Sequence, residues 1–379
     1  MKQRLVALDA LRGLTVGCMI LVNSAGSWSY VYPPLAHMPW NGISLADVIF
    51  PLFLFMMGIS MYISLRKFSF QLTRPLFVKI VRRTVILFLV GTLIYGTATF
   101  LGAFREALQQ PETAGHAWAL AVNALGHVRI LGVLQRLALC YGMGALLVTQ
   151  IRYERLLPLA LFILLAYFLL LLAGNGFVYG PENILSKVDV AVLGMERMIN
   201  DHGMDPEGVL STIPSVAHVL IGFWFGGLCL GKGTLSERLN RLFLYGTLAL
   251  LAGFLLQDIC PLNKKVWSPT FVGVTCGFSA LLLAVFLWFI DVTQKWKHVD
   301  FLTVWGVNPL FCYVFSELIY ILADYLPLLG SSLHTHWYTQ LVIWVDNPTI
   351  ASFLYACCFT GMVWMVGWYL KRKEIYVKL

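Results

Sequence analysis

The sequence predicts an all-α, polytopic integral membrane protein of about 10 transmembrane helices with both termini in the cytoplasm. Three observations lead there. Hydrophobic residues make up 59% of the chain and charged residues 12%, whereas a soluble domain carries about 25% charged residues to cover its surface. Ten apolar runs each approach the roughly 20 residues a helix needs to cross a bilayer. Lysine and arginine crowd into alternate connections, the pattern that sets orientation in the membrane. The 12 tryptophans suit interfacial belts. A formal charge of +8 then describes a basic cytoplasmic side, and no nucleic-acid partner is expected.

The runs are 6–24, 43–64, 84–102, 128–149, 156–174, 213–231, 242–259, 269–290, 301–322 and 349–370. The first contains Asp9 and Arg12 and has no small-residue cleavage site, so it is read as a span that is kept. The second follows Trp40-Asn41-Gly42, a turn sequence that folds the preceding residues back over the helix mouth. Hydroxyl caps before a first-turn proline open the sixth run at Ser211-Thr212-Ile213-Pro214 and the eighth at Ser268-Pro269. Pro51 and Pro309 should bend the second and ninth runs unless neighbours satisfy the freed carbonyls. No internal repeat or second domain is visible, so 1–379 is read as one transmembrane domain.

Twenty of the 27 basic residues fall on one side of this arrangement. They are Lys2, Arg4, Arg12, Arg66, Lys67, Arg74, Lys79, Arg82, Arg83, Arg152, Arg155, Lys232, Arg238, Arg241, Lys295, Lys297, Lys371, Arg372, Lys373 and Lys378. That side is the cytoplasm by the positive-inside rule. The loops 25–42, 175–212 and 261–268 then gather on the outer face.

The eight cysteines are scattered without CxxC pairs, which points to neither a disulfide framework nor a metal site. His334 and His336 lack further ligands, and His218 reads as a packing residue. Charged residues inside a span are expensive and mark function by default. Asp9, Arg12, Val16, Met19 and Asn23 share one face of the first helix, as a cytoplasmic ion pair or as a stripe lining a passage toward Asn23 and His37. Arg129 and Arg136 share a face of the fourth, and an inward guanidinium at Arg136 calls for a carboxylate or an anionic ligand. His37, with Asp47 five residues into the run that follows the turn, supplies an imidazole and a carboxylate, the pair a general base and its orienting partner require.

Several stretches together resemble the transmembrane acetyltransferases, the family of heparan-α-glucosaminide N-acetyltransferase and its bacterial relatives. They are RLVALDALRGLTVGCMILVNSAG (4–26), HMPWNGISLADVIFPLFLFMMGIS (37–60), RILGVLQRLALCY (129–141), DPEGVLSTIPS (205–215), PLNKKVWSPTFV (261–272) and WGVNPLFCY (305–313). Lysosomal members carry an extra luminal domain and leading span, so a chain starting at Leu-Asp-Ala-Leu-Arg-Gly is expected to be a minimal bacterial form. The resemblance implies transfer of acetyl from cytoplasmic acetyl-CoA to the amino group of a terminal glucosamine on the far side. It places the active histidine at His37, the neighbouring asparagine at Asn23 and the acidic residue at Asp47.

Acetyl-CoA would then be the co-substrate, with no metal. Its anionic nucleotide would meet Arg12, Arg66, Lys67, Arg82, Arg83 and Arg136, and its pantetheine arm would follow the first span. Asn23 would donate to the thioester oxyanion, and His37 would act as general base or carry the acetyl group itself. Trp40, Asn41, Arg129, Lys264, Trp267, Asp205 and Glu207 are the candidate acceptor contacts, with Trp267 stacking on a sugar ring. The partners expected are an amino sugar or glycan, the lipid bilayer and, as the commonest default, a second copy in a homodimer. The alternative is an amino-sugar or N-acetyl-sugar transporter, which should show internal repeats and helices interrupted at mid-membrane. An accessory subunit with a degenerate site is disfavoured by the presence of His37, Asn23 and Asp47 together.

Overall fold

The computed structural model describes residues 6–109, 114–199, 201–294, 296, 299–328 and 331–377. Lys2, Arg4, Lys295, Lys297 and Lys378, counted above with the cytoplasmic side, lie outside these residues. Fourteen α-helices run through the described residues: α1 (Val6–Asn23), α2 (Leu45–Leu65), α3 (Arg74–Leu108), α4 (Ala114–Ala124), α5 (Val133–Gln150), α6 (Tyr153–Ala173), α7 (Ile184–Leu193), α8 (Thr212–Leu230), α9 (Leu235–Leu255), α10 (Pro269–Leu287), α11 (Val299–Val307), α12 (Pro309–Tyr325), α13 (Leu333–Val345) and α14 (Pro348–Arg372). The extended backbone among them is a two-residue pairing, Pro327–Leu328 with Ser331–Ser332, and one isolated bridge between Asp201 and Met204. The protein is an all-α, polytopic membrane protein.

All ten predicted runs overlap helices, but α5 begins only at Val133, so Arg129, expected to share a helical face with Arg136, lies in the non-helical segment before it. α9 ends at Leu255, short of the predicted end of its run. Seven helical stretches are long and apolar enough to cross a membrane, or eight if the bent pair α11–α12 is one span. Neither α5 nor α9 is among them, because Gln135 and Arg136 interrupt the first and Glu237, Arg238 and Arg241 crowd the start of the second. The ninth run is broken by 77° between Val307 and Pro309. Proline at the first position of α12 has no N–H to continue α11, and Asn308 at the corner is tied to the C-terminal tail through Ile375 and Val377. Pro51, by contrast, sits inside an unbroken α2. Ser268 caps α10 by accepting from Phe271 N–H, whereas Ser211 precedes α8 without a side-chain cap.

α1, α2 and α8 form the interior of the bundle, and α3 and α6 face mostly outward. Lipid tails are as apolar as leucine, so helices associate through close van der Waals packing of small residues. At the crossing of α1 and α11, a Cβ on Gly13 would strike the Leu302 carbonyl, and one on Gly306 would strike that of Asp9. Further along α1, the Trp305 ring lies against Gly17. Val16 and Ile20 join Trp305, Cys312 and Tyr355 in a buried apolar cluster. On the α1 face that carries Asp9, Arg12, Val16, Met19 and Asn23, Val16 thus joins the Trp305 cluster, while Met19 and Asn23 line the site described next.

Candidate functional site

The site forms where the C-terminal end of α1 and the N-terminal ends of α2 and α5 meet the loops 203–211 and 261–268. Its foundation is a helix cap. Ser44 precedes α2, its hydroxyl accepts from Asp47 N–H at 3.3 Å, and the Asp47 carboxylate accepts from Ser44 N–H at 3.2 Å. This reciprocal box satisfies two helix-end donors and fixes the carboxylate. Asp47 Oδ2 also accepts from Ser44 Oγ at 2.9 Å and Met38 N–H at 3.1 Å, which leaves Oδ1 facing His37 Nδ1 at 2.8 Å. A carboxylate only accepts, so Nδ1 carries the proton and the lone pair lies on Nε2. The Asp47 side chain is 1% exposed and that of His37 45% exposed, so a buried orienter carries an imidazole open to solvent.

The turn before α2 is pinned from two other loops. Gly42 adopts φ +113°, a left-handed value suited to glycine, and its N–H donates to Leu262 O at 2.8 Å. Asn41 accepts from Asn263 Nδ2 at 3.1 Å, and Trp40 donates from Nε1 to Phe177 O while stacking on Tyr179 at 4.6 Å. The loop held this way brings Lys264 Nζ to 3.3 Å from Asp47 Oδ1 and 3.1 Å from His37 Nδ1. Burial pushes the Lys264 ammonium below its ordinary pKa, against the opposing pull of Asp47 and Glu207.

A cavity of about 70 Å³ lies beside the imidazole, lined by Met19, Val22, Asn23, His37, Ala46, Ile49, Phe50, Val133, Glu207 and Lys264. At roughly 30 Å³ per water, this is space for a group of only a few heavy atoms, and His37 is exposed at its rim. Asn23 donates to Glu317 Oε1 on α12 at 3.2 Å. Across the cavity, Arg129 grips Asp205 through Nε at 3.1 Å and Nη2 at 2.5 Å, Glu207 through Nη2 at 2.5 Å and Tyr95 Oη through Nη1 at 3.0 Å. Burial opposes ionisation of Glu207, yet Arg129 and Arg136 hold its carboxyl below the usual range. Asp189 on α7 supports this loop by accepting from Val209 and Asp205 N–H groups, and burial raises its pKa to about 6.

Of the predicted acceptor contacts, Glu207 and Lys264 line the cavity, whereas Asp205 is consumed by Arg129. Trp267 is placed otherwise than expected. At 1% exposure it packs edge-on against Phe50 and Phe271, with the Arg136 guanidinium over its ring at 5.2 Å. An indole sealed on these sides has no face for a sugar, and it acts as the support behind the cavity. His218 is buried against the same indole, as a packing residue.

The predicted nucleotide contacts divide. Arg136 is fully buried near the site, donating to Gly208 O and Ser211 Oγ, with Nε and Nη1 unpartnered. Arg12 bonds Asp9 at 3.2 Å and Ser60 at 2.7 Å. Ser60 lies thirteen residues along α2 from Asp47, about 20 Å at 1.5 Å per residue. Arg66 and Lys67 follow the far end of α2, and Arg82 and Arg83 lie on α3, with Arg83 over the Tyr141 ring at 4.6 Å. Among the described residues no three His, Cys, Asp or Glu side chains converge as metal ligands.

Sequence reading passed over Glu317, a carboxyl near the middle of the apolar stretch 309–325 and directly bonded to Asn23. The signal was present, since the rule that singled out Arg136 applies equally to a glutamate in a span.

A family described as a domain of unknown function (DUF5009) matches residues 4–104. The chain is 25% identical over 440 residues to the heparan-alpha-glucosaminide N-acetyltransferase of Homo sapiens, covering 99% of this chain and 60% of that protein. It is 26% identical over 382 residues to the protein of the same name from Mus musculus, covering 86% of this chain and 54% of that one. The chain thus spans little more than half the length of these curated relatives. Over most of its own length, it is similar, at 25–26% identity, to two proteins named heparan-alpha-glucosaminide N-acetyltransferase.

Proposed function

We propose that this protein is a transmembrane N-acetyltransferase of a bacterial inner membrane that moves acetyl from cytoplasmic acetyl-CoA to the amino group of a glucosamine-type sugar on the opposite side. The observation that carries this reading is the His37–Asp47 pair at the mouth of an acyl-sized cavity, with Nε2 free. The names of the two relatives point to the same chemistry. Sidedness follows from the basic residues beyond the far end of α2, about 30 Å from Asp47 at 1.5 Å per residue over α2.

Acetyl-CoA supplies an activated thioester. The small cavity fits its acetyl end, and Arg12, Arg66, Lys67, Arg82 and Arg83 supply cationic groups toward the other side for its phosphates. Arg136 lies too near the outer loops for that role and instead orders Gly208 and Ser211 behind Glu207. An amine must be neutral to attack, so the sugar ammonium gives up a proton. His37 Nε2 receives it, and Asp47 stabilises the imidazolium through Nδ1–H. The amine then attacks the thioester carbonyl and the C–S bond breaks. CoA leaves as the thiol with the proton held by His37, and the second amine proton passes to solvent. Glu207 and Asp47 are anionic neighbours for the incoming ammonium, and Asn23 holds a hydrogen-bonding edge against the acetyl group. Direct attack by the amine and passage through an acetylated His37 both use Nε2. Mass spectrometry after incubation with acetyl-CoA alone separates them by the mass of residue 37.

Transport of the sugar is the competing account, and the bent span α11–α12 is a feature carriers share. That break is tied to the C-terminal tail, at the end of the bundle opposite His37, whereas a carrier is interrupted around a mid-membrane site. The test is purified protein with acetyl-CoA and glucosamine. N-acetylglucosamine should form with wild type and not with a folded His37→Ala variant. Sugar crossing vesicle membranes without any acetyl transfer would establish the carrier instead.

A further inference from the structure

Glu317 is a half-buried carboxyl that the reaction above leaves unused. It lies midway along α12, where a charged group is costly without a partner. Its side chain reaches α1, accepting the Asn23 Nδ2–H at 3.2 Å, and it shares a second hydrogen bond with the Tyr313 hydroxyl one turn earlier. Both partners are neutral, and among the described residues no lysine or arginine makes an ion pair with it. Hydrogen bonds between polar side chains also hold membrane helices together. This one is made to the asparagine that lines the acetyl cavity.

We propose that Glu317 is a positioning residue for acetyl transfer, acting through Asn23; the inference rests on the acetyltransferase reading. Asparagine has a freely turning side chain with a donor edge and an acceptor edge of similar shape. Glu317 Oε1 accepts from the amide N–H, as a carboxylate oxygen and the carbonyl oxygen of a neutral acid both do, so it selects which edge turns toward α12 and fixes the angle of the remaining one. The second amide hydrogen and Oδ1 of Asn23 are then held against the cavity. A hydrogen-bonding group serves a transition state only when it is already aimed, and displacement by about 1 Å can lower a rate by about 100-fold. Tyr313, bonded to the same carboxyl, limits its own freedom. The tie joins α1 to α12 at the level of the cavity, so the position of α12 sets the aim of Asn23.

A double-mutant cycle on the full-length protein tests this, with kcat and KM measured for wild type, Glu317→Ala, Glu317→Gln, Asn23→Ala and the double variant Glu317→Ala with Asn23→Ala. Thermal unfolding is followed alongside. Glu317→Ala should lower kcat by about 10- to 100-fold and leave the KM for acetyl-CoA within about twofold. Glutamine keeps an oxygen that accepts from Asn23, so Glu317→Gln should recover most of kcat. In the Asn23→Ala background, Glu317→Ala should lower kcat by less than about twofold more, because the group it aims is gone. If Glu317→Ala does not fold, Glu317→Met, similar in volume without an acceptor, takes its place in the cycle. The proposal is overturned if kcat survives within about twofold, if glutamine is as damaging as alanine, or if the two penalties multiply. Wild type that transfers no acetyl would refute the acetyltransferase reading itself, whereas multiplying penalties in an active enzyme refute only the role of Glu317.

Discussion

Replacing Asp47 by asparagine changes one atom and forces a choice on the hydrogen bonds around it. Three donors converge on Oδ2, namely Met38 N–H, Ser44 N–H and Ser44 Oγ, while His37 Nδ1 and Lys264 Nζ approach Oδ1. The amide NH2 conflicts least if it takes the Oδ1 position, because the imidazole can respond by changing tautomer. Nδ1 then accepts, Nε2 carries the proton, and the lone pair needed for proton abstraction is lost. The analogous change in a Ser-His-Asp triad lowers kcat about 10⁴-fold. His37 is more exposed than a triad histidine and can turn, so about 10²- to 10⁴-fold is expected, or roughly 2.7 to 5.4 kcal/mol of barrier at 1.36 kcal/mol per decade. The amide oxygen still serves the α2 cap, so stability should fall by only about 1 kcal/mol. Steady-state formation of N-acetylglucosamine, with thermal unfolding in parallel, provides the assay. An Asp47→Asn enzyme within about threefold of wild-type kcat, or one whose loss merely tracks unfolded protein, would refute the tautomer argument.

Arg129→Ala should be among the most destabilising single changes in the protein. It strands Asp205 and Glu207, whose side chains are 0% and 12% exposed, and breaking such a buried pair typically costs about 3–5 kcal/mol; an unchanged melting temperature would contradict the geometry. Asp189→Asn tests the loop support through pH. Burial raises the Asp189 pKa from 3.8 to about 6 in the folded protein, so the folded state holds a proton that the unfolded chain releases, and the contribution of Asp189 falls as pH rises through that window. Asparagine does not titrate, and the Tm of the variant relative to wild type should therefore rise between pH 4 and pH 6; a flat difference would count against it. Lys264→Met removes a cation from Asp47 Oδ1 and should alter the KM for the amino sugar more than the KM for acetyl-CoA, which paired kinetics would show.

His37 and Asp47 were legible in the sequence because they lie ten residues apart across a helix start, where a turn and a capping box constrain both. Loops 203–211 and 261–268 could be assigned to the same side from charge alone, yet which of their residues reach the cavity depends on backbone detail. Trp267 illustrates the limit. Its φ of +56° turns the indole inward onto Phe50 and Arg136, and no residue type at that position demands a left-handed conformation. The α1 stripe shows a related limit: helical spacing placed Val16 on the face of Asp9 and Asn23 but could not show Trp305 of a distant helix joining it in one apolar cluster. The α11–α12 corner was foreshadowed by Asn308-Pro309, although only the structure shows the tail holding it. Glu317 needed no structure to be suspected, only consistent use of the rule that charge within a span calls for an explanation.

Vectorial transfer across a sealed membrane tests the central claim most directly. Protein is reconstituted in one orientation, with acetyl-CoA confined to the side of Arg66 and Arg82 and glucosamine confined to the side of His37. Acetylated sugar should accumulate only in the sugar compartment, with free CoA appearing only in the other and both lost with His37→Ala. Product formed only when both substrates share a compartment would contradict the account.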